Sequence, residues 1–452
     1  MVRNILGILC VGLVLAACQV DRPLTEQPEE QANVVEAALQ GPQVPPPEDL
    51  AWHDGRADVV VSLRDLEPPN GDDDAARVQR LSQVADRVLA ALPPGEWSLL
   101  RRYRLVPALA GRVTAHGLAV LRTLPDVTDI QADLLVHSDA LPARIVQATA
   151  AHKQRRLNGQ GVRVAVIDSG VDASHPDLAG RIDAQHCFAQ GGCPPLGQSE
   201  GKLATDQNGH GTHVASLLLG AGKVAPEGIA PAARLVAVRV LGPKGTGPTS
   251  DVLAGLDWLA QQAVPLGVRV LNLSLGGQKT YAGTCDAKDP ATAKALQLLR
   301  KKGVAVFAAA GNDAALAGLS SPACLSGVTS VGATYSSSYG PQTFPGLCAD
   351  AKSGTGVMTC FSNRSAGLDL VAPGAFLTGA GLGGGTVVMA GTSQATPIAA
   401  GVATLLVGCK PSLGPDALQA VLQQTGKPLL DPASGHVFPL VQALAAAQVA
   451  CP

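Results

Sequence analysis

Residues 162–170 read VRVAVIDSG. An apolar run, interrupted once by Arg163, ends abruptly in Asp168, Ser169 and Gly170. A run that is apolar on both faces suits a strand buried in a parallel sheet, and small residues after it let the chain turn away. The same format returns at 234–242 (RLVAVRVLG), 269–277 (RVLNLSLGG), 303–312 (GVAVFAAAGN) and 328–334 (VTSVGAT). Between these runs lie helical patterns such as SDVLAGLDWLAQQA and ATAKALQLLRKKG. Alternation of this kind predicts an α/β domain with a doubly wound, mostly parallel sheet. In such sheets functional groups gather at the carboxyl ends of the strands, which singles out the turns DSG, SLGG and AAAGN.

Upstream the pattern differs. Residues 57–63 (ADVVVSL) form a strand-like run, and Val78, Leu81, Val84 or Ala85, Val88 and Leu92 recur at helical spacing over 73–92. Strand-like runs follow at Leu99–Val106 and Ala108–Thr114, a short helix pattern at His116–Leu124, and a strand at Val127–Ala132. The order βαββαβ predicts a small α+β ferredoxin-like unit over 56–137. Residues 19–55, rich in Pro, Glu and Gln, read as a tether, and HSDALPARIVQATA (137–150) as a second connection leading into a domain spanning 138–452.

A chain of 452 residues has room for a large domain and a smaller one. Its net charge of −2, with 15% charged residues, provides no electrostatic footprint for nucleic acid. With 46% apolar residues, 51 glycines and only 3% aromatics, it suits a closely packed, turn-rich globular protein. The first eighteen residues, MVRNILGILCVGLVLAAC, have the charged start, short apolar stretch and small-residue end of a secretory signal. Leu15-Ala16-Ala17-Cys18 resembles a bacterial lipobox, which implies lipidation at Cys18, and Gln19 after it disfavours retention at an inner membrane. An ordinary signal with a chance cysteine is the alternative. Besides Cys10 and Cys18, eight cysteines remain, an even number suited to disulfides in an exported chain. Sequential pairing gives Cys187–Cys193, Cys285–Cys324, Cys348–Cys360 and Cys409–Cys451, a connectivity that spacing does not prove. No C-x-x-C pair or His cluster argues for a metal instead.

Four residues could carry chemistry. Asp168, directly after VAVI, is either a turn-forming, helix-capping residue or a carboxylate that orients a base. His210, in DQNGHGTHVASLLLG, sits at a helix start between two glycines, so its ring is approachable, whereas His213 lies one turn further in. Ser393, in AGTSQATPIAAG (390–401), opens an apolar helix and is either a simple cap or a nucleophile. In the second case the helix N-terminus would favour the oxyanion formed, and Gly391, Thr392 and Ala395 would keep bulk out of a substrate's path. Asn312, ending AAAGN, is a turn residue or an amide donor to that oxyanion.

Together these stretches strongly resemble the subtilisin-like serine proteases. VAVIDSGVDASHPDL, NGHGTHVAS, SLGG, AAAGN and GTSQATP match that family's motifs in its chain order, Asp then His then Ser, and FSNRSAGLDLVAPG also matches. The resemblance covers roughly residues 160–440. It implies that Ser393 is the nucleophile of an endopeptidase, His210 its general base, Asp168 the orienting carboxylate and Asn312 an oxyanion donor. It implies that Ser274, Leu275, Gly276 and Gly277, with Ala309, Ala310 and Gly311, line the cleft for polypeptide substrates. Small residues there predict a roomy pocket for apolar side chains, with Asp313 as a further attraction for a basic one. The βαββαβ unit resembles the family's propeptide, an intramolecular inhibitor removed by the enzyme itself, here near 137–142. The precursor would then be a cell-envelope lipoprotein whose only membrane contact is Cys18, with the mature protease released outside.

Two departures stand out. Gln394 occupies a position where the family usually has Met, and GAGKVAPEGIAP (220–231) lacks the Asn-rich loop by which secreted relatives bind calcium. No cofactor is implied for the chemistry, and a structural calcium ion finds no such loop here. Two other readings are a non-catalytic scaffold acting as a binding module and an α/β-hydrolase esterase. The first would lack a triad member. The second needs G-x-S-x-G and a His after the serine in an acid-then-His order, but Ala395 stands at the fifth position and His436 is the only later His.

Overall fold

The computed structural model describes residues 50, 52–65, 73–133, 141–195 and 197–451. The signal stretch with Cys10 and Cys18, nearly all of the 19–55 tether and most of the 137–142 segment lie outside the described residues. The chain divides into two compact units between residues 134 and 135.

The smaller unit contains β1 (Arg56–Leu63), α1 (Asp74–Ala90), β2 (Trp97–Arg102), β3 (Ala108–Thr114), α2 (Ala115–Leu121) and β4 (Val127–Ala132). Its strands lie in the order β4-β1-β3-β2, every neighbouring pair antiparallel. Val59, Val61 and Leu63, alternate residues of β1, point inward onto Val84, Ala85 and Val88 of α1, as period 2 against period 3.6 requires. Asp73 caps α1, accepting from the Ala76 N–H at 2.8 Å.

Four boundaries differ from the sequence expectation. The run Leu99–Val106 is a strand only to Arg102, because the register pairs Arg102 with Leu109 and leaves 103–107 to make the turn into β3. The two helices stop short of Leu92 and Leu124, since Pro93 and Pro125 push the preceding residue out of the α region. Trp52–His53, inside the expected tether, is a short strand pairing with β1. Asp54 and Gly55, at φ 49° and 73°, supply the left-handed pair that a two-residue hairpin turn needs.

The larger unit is built on a nine-stranded sheet. In chain order its parts are β5 (Arg163–Asp168), β6 (Ile182–Cys187), α3 (His210–Leu219), β7 (Arg234–Arg239), α4 (Thr249–Leu266) and β8 (Val268–Leu273). Then come α5 (Pro290–Lys301), β9 (Ala305–Ala309), β10 (Thr329–Tyr335), β11 (Leu370–Ala375), α6 (Thr392–Cys409), α7 (Pro415–Thr425), β12 (Lys427–Leu430) and β13 (Val437–Leu440). The spatial order is β6-β7-β5-β8-β9-β10-β11-β13-β12, parallel except for the β12–β13 hairpin at the edge. This is the expected doubly wound sheet. The chain runs from β5 to β6 and β7 on one side, then crosses back to β8 on the other. Its switch point therefore lies at the carboxyl ends of β5 and β8, where a crevice forms.

The stretch 137–150, expected to be only a connection, carries helices Leu141–Ile145 and Ala148–Arg155. Val146, Ala148 and Ala151 are fully buried there, and Val146 accepts from the Ala443 N–H, so burial rather than linker composition decides. The structure joins Cys187–Cys193, Cys285–Cys324, Cys348–Cys360 and Cys409–Cys451, with Cα–Cα distances of 5.4–6.0 Å, inside the range a disulfide spans. The backbone N–H groups of Lys223, Val224 and Ala225, in the loop after α3, donate to the buried carboxylate of Asp177, which lies between β5 and β6. That carboxylate's charge is thus met by amides. Among the described residues no helix is long and apolar enough to cross a membrane, and no three or more His, Cys, Asp or Glu group to hold a metal.

Helix α6 runs through the middle of one layer and is buried nearly all round, from Thr392 to Val407 with Ser393 the exception. Such a helix is held by packing, not propensity. At Gly401 a Cβ would meet Ile229 Cβ at 2.5 Å. Gly→Ala in an exposed helix gains up to about 1 kcal/mol, yet here overpacking costs about 1–3 kcal/mol. Gly401→Ala in a Ser393→Ala background is therefore expected to lower the urea midpoint, and a raised midpoint would show that the α6 contact is slack.

Candidate active site

The crevice gathers residues from three strand ends and two helix starts. Asp168 is the last residue of β5, between β7 and β8, and its side chain is 1% exposed. Its Oδ1 accepts from the Ser169 N–H at 2.7 Å and lies 2.8 Å from His210 Nδ1. An acceptor-only carboxylate in that contact makes Nδ1 the protonated nitrogen of the ring, which leaves Nε2 as the free lone pair in the neutral form. Burial alone would lower the imidazole pKa. The Asp168 charge and hydrogen bond, with the Asp206 charge, outweigh it and raise the pKa above the ordinary histidine value.

His213, one turn along α3, is fully buried with Nε2 3.0 Å from the Leu377 carbonyl. Burial pushes its pKa down to about 4, so it stays neutral where His210 titrates. The two histidines of one helix thus behave oppositely. Only His210 faces a buried carboxylate.

Ser393 is the second residue of α6, and its backbone N–H is one of the donors a helix start leaves unpaired. Its hydroxyl donates to the Ser274 carbonyl at 3.1 Å, and Ser274 Oγ donates back to the Ser393 carbonyl at 2.7 Å. Among the described residues no hydrogen bond joins Ser393 to His210. Catalytic hydrogen bonds are often unmade before substrate binds, and a χ1 rotation is all that separates a serine's alternatives.

Asn312 follows β9. Its Oδ1 accepts from the Thr392 N–H at 2.9 Å and from Thr392 Oγ1 at 3.0 Å. A backbone N–H can only donate, so the amide orientation is decided and Nδ2 is the end left to face the crevice. A Cβ on Gly391 would lie 3.4 Å from that Nδ2 and 2.9 Å from Gln394 Oε1, so bulk at 391 would crowd the amide. Gln394 itself is buried and leans toward Met389 Sδ at 3.8 Å.

Gly276 and Gly277 are exposed beyond the buried Ser274, and the Gly277 N–H reaches the Ser321 carbonyl at 2.8 Å. Leu275 is half-buried. Ala309 and Ala310 are buried on β9 and just after it. Gly311 has φ +107°, and a Cβ there would stand 2.2 Å from Asn363 Nδ2 and 2.3 Å from Ser320 Oγ, so only glycine fits. Asp313 is exposed, and its Oδ2 accepts from Asn363 Nδ2 at 2.8 Å and from Ser320 Oγ at 3.3 Å. Asn363 was invisible in the sequence as a site residue, although it lies in FSNRSAG. It also accepts from the Asp313 and Ala315 N–H groups, fixing the chain beyond Asn312.

A buried carboxylate–imidazole pair, a hydroxyl at a helix N-terminus and a locked amide donor can together perform acyl transfer. Comparison with known proteins agrees. The family model described as the subtilase family matches residues 159–438. M-protease of Shouchella clausii (strain KSM-K16) is 35% identical over 322 residues, 70% of this chain and 73% of that protein. An extracellular serine proteinase of Thermus sp. (strain Rt41A) is 30% identical over 461 residues, 97% of this chain and 98% of that protein. A crystal structure of a cold adapted subtilisin-like serine proteinase aligns with TM-score 0.50 and 32% identity, covering 64% of this chain and 90% of the other. The chain therefore belongs to the subtilase family and is a serine-type endopeptidase.

Proposed function

We propose that this endopeptidase works through Asp168, His210 and Ser393, with Asn312 as oxyanion donor, and that it is exported as a self-processed precursor. The observation that carries the reading is the 2.8 Å contact between His210 Nδ1 and the buried Asp168, which leaves Nε2 as the base. When substrate enters, Ser393 Oγ turns from the Ser274 carbonyl and gives its proton to Nε2 as it bonds to the scissile carbon. The carbonyl π pair moves to oxygen, where the Ser393 N–H and Asn312 Nδ2 receive the negative charge. Imidazolium, stabilised by Asp168, then protonates the leaving amine as the C–N bond breaks, giving the acyl-enzyme. Water repeats the sequence, with His210 again base and then acid. Ser274–Gly277 and Ala309–Gly311 form the walls along which an extended polypeptide pairs by main-chain hydrogen bonds.

In this reading the 56–137 unit is the inhibitory propeptide, cut by Ser393 within 137–142. Cys18, on the far side of that cut, anchors the precursor at the cell envelope by a lipid, and processing frees the mature protease. The extracellular relative matching nearly the whole chain supports export.

Two outcomes check this. Asn312→Ala is expected to lower kcat about 10²–10³-fold at nearly unchanged KM, because the lost donor serves only the developing oxyanion; a KM effect with kcat intact would contradict the role. For processing, mass spectrometry of the purified N-termini should find wild type starting within 137–142 and Ser393→Ala uncut. Identical cuts in both would assign processing to another protease.

A further inference from the structure

His210 occupies an electrostatically awkward position. It is the first residue of α3, where unpaired N–H groups and the helix dipole present positive charge and oppose an imidazolium. The structure meets those donors with side chains from outside the helix. The His210 N–H reaches Asn208 Oδ1 at 3.2 Å, the Gly211 N–H reaches Ser169 Oγ at 2.8 Å, and the Thr212 N–H reaches Asp206 Oδ2 at 3.0 Å.

Asp206 is the centre of this arrangement. It is 7% exposed and accepts five hydrogen bonds. Oδ1 takes the N–H groups of Asn208 and Gly209 and the Ser169 hydroxyl, each at 2.9 Å. Oδ2 takes the Thr212 N–H and, at 2.6 Å, the Thr212 hydroxyl. Ser169 also sends its N–H to Asp168, so one residue ties the two buried carboxylates together. Gly209, directly before His210, sits at φ +99°, and Asp206 fixes that turn.

We propose that Asp206 is a positioning residue for His210 and a second counter-charge for the imidazolium formed during catalysis. The proposal rests on His210 being the base. Asp168 faces the ring from β5 and Asp206 lies beneath the helix start on the loop before it. His213 lies one turn along α3 and stays neutral. Arg239, buried at the end of β7, interacts electrostatically with Asp206 and holds the same loop through the Thr205 carbonyl at 2.8 Å and Gln207 Oε1 at 3.0 Å. Arg239 thus offsets part of the Asp206 charge without binding it directly. The Asp206 charge acts with Asp168 in raising the His210 pKa.

Asp206→Asn keeps the shape but removes the charge and places an N–H₂ against donors. Processed enzyme and a small peptide ester would be followed from pH 5 to 9. The expected result is kcat reduced roughly ten- to hundredfold with KM nearly unchanged, and the acid inflection of kcat/KM moved to lower pH. Wild-type kcat with an unmoved inflection would overturn the proposal. A lower kcat with an unmoved inflection would remove the counter-charge half of it. His210→Ala run alongside separates the two readings, since retained activity there would refute His210 as base, independently of Asp206. If Asp206→Asn does not fold, Ser169→Ala carries the test. It cuts the tie between Asp206 and the Gly211 N–H but keeps both charges, so kcat should fall roughly three- to tenfold with the inflection in place. Unchanged kcat in that variant would likewise overturn the positioning role.

Discussion

A carboxylate at the end of a fully buried strand cannot stay ionised without donors or a cation, because desolvation costs several kcal/mol. Asp168 stands in that position, at the end of β5, which runs between two parallel neighbours in the middle of the sheet. The remaining architecture can be read as meeting its demand. One oxygen takes the Ser169 N–H and His210 Nδ1, which requires α3 to begin at that strand end and nowhere else. Small residues make the approach feasible: a Cβ at Gly211 would stand 2.2 Å from the Gly170 carbonyl. Reaction chemistry gives the same contact its use, since a carboxylate that needs a cation favours the imidazolium appearing when a proton leaves a serine.

Around that contact, two helix N-termini converge and are treated differently. The start of α3 is saturated by Asn208, Ser169 and Asp206, which removes its claim on outside anions. The start of α6 is only partly met: Thr392 N–H goes to Asn312, while the Ser393 N–H is left for a ligand. In the proposed mechanism, one helix start thus adjoins a transient cation and the other a transient anion. Nothing about the helices themselves sets this difference. It comes from which loop side chains reach back to them.

Much of this was legible in the sequence, and the reason is geometric. Asp168, Asn312 and the SLGG segment follow continuous apolar runs, and a parallel sheet brings all such carboxyl ends to one edge. His210 and Ser393 each precede a long apolar helix with glycine beside them, which marks an exposed helix start. What depends on contacts between distant segments stayed hidden. Asn363 looked like part of a motif without a role until its amide was seen bound to Asp313, Ser320 and Ala310. Asp206 carried no mark of its role in the sequence, because its five hydrogen bonds include one from Ser169, far back in the chain. In the smaller unit, element types and the strand spans Ala108–Thr114 and Val127–Ala132 were readable. Other ends were not, since hairpin register and proline neighbours, not periodicity, decided where Leu99–Val106 and the two helices stopped.

The proposed mechanism requires Ser393 Oγ to be the acylated atom and His210 the group that activates it. Reaction of the processed enzyme with a fluorophosphonate probe, followed by peptide mapping of the adduct, tests this most directly. The expected result is a single phosphonylated residue, Ser393, in step with loss of peptidase activity and absent from His210→Ala. Label on another residue, or full activity with Ser393 unmodified by excess probe, would contradict it.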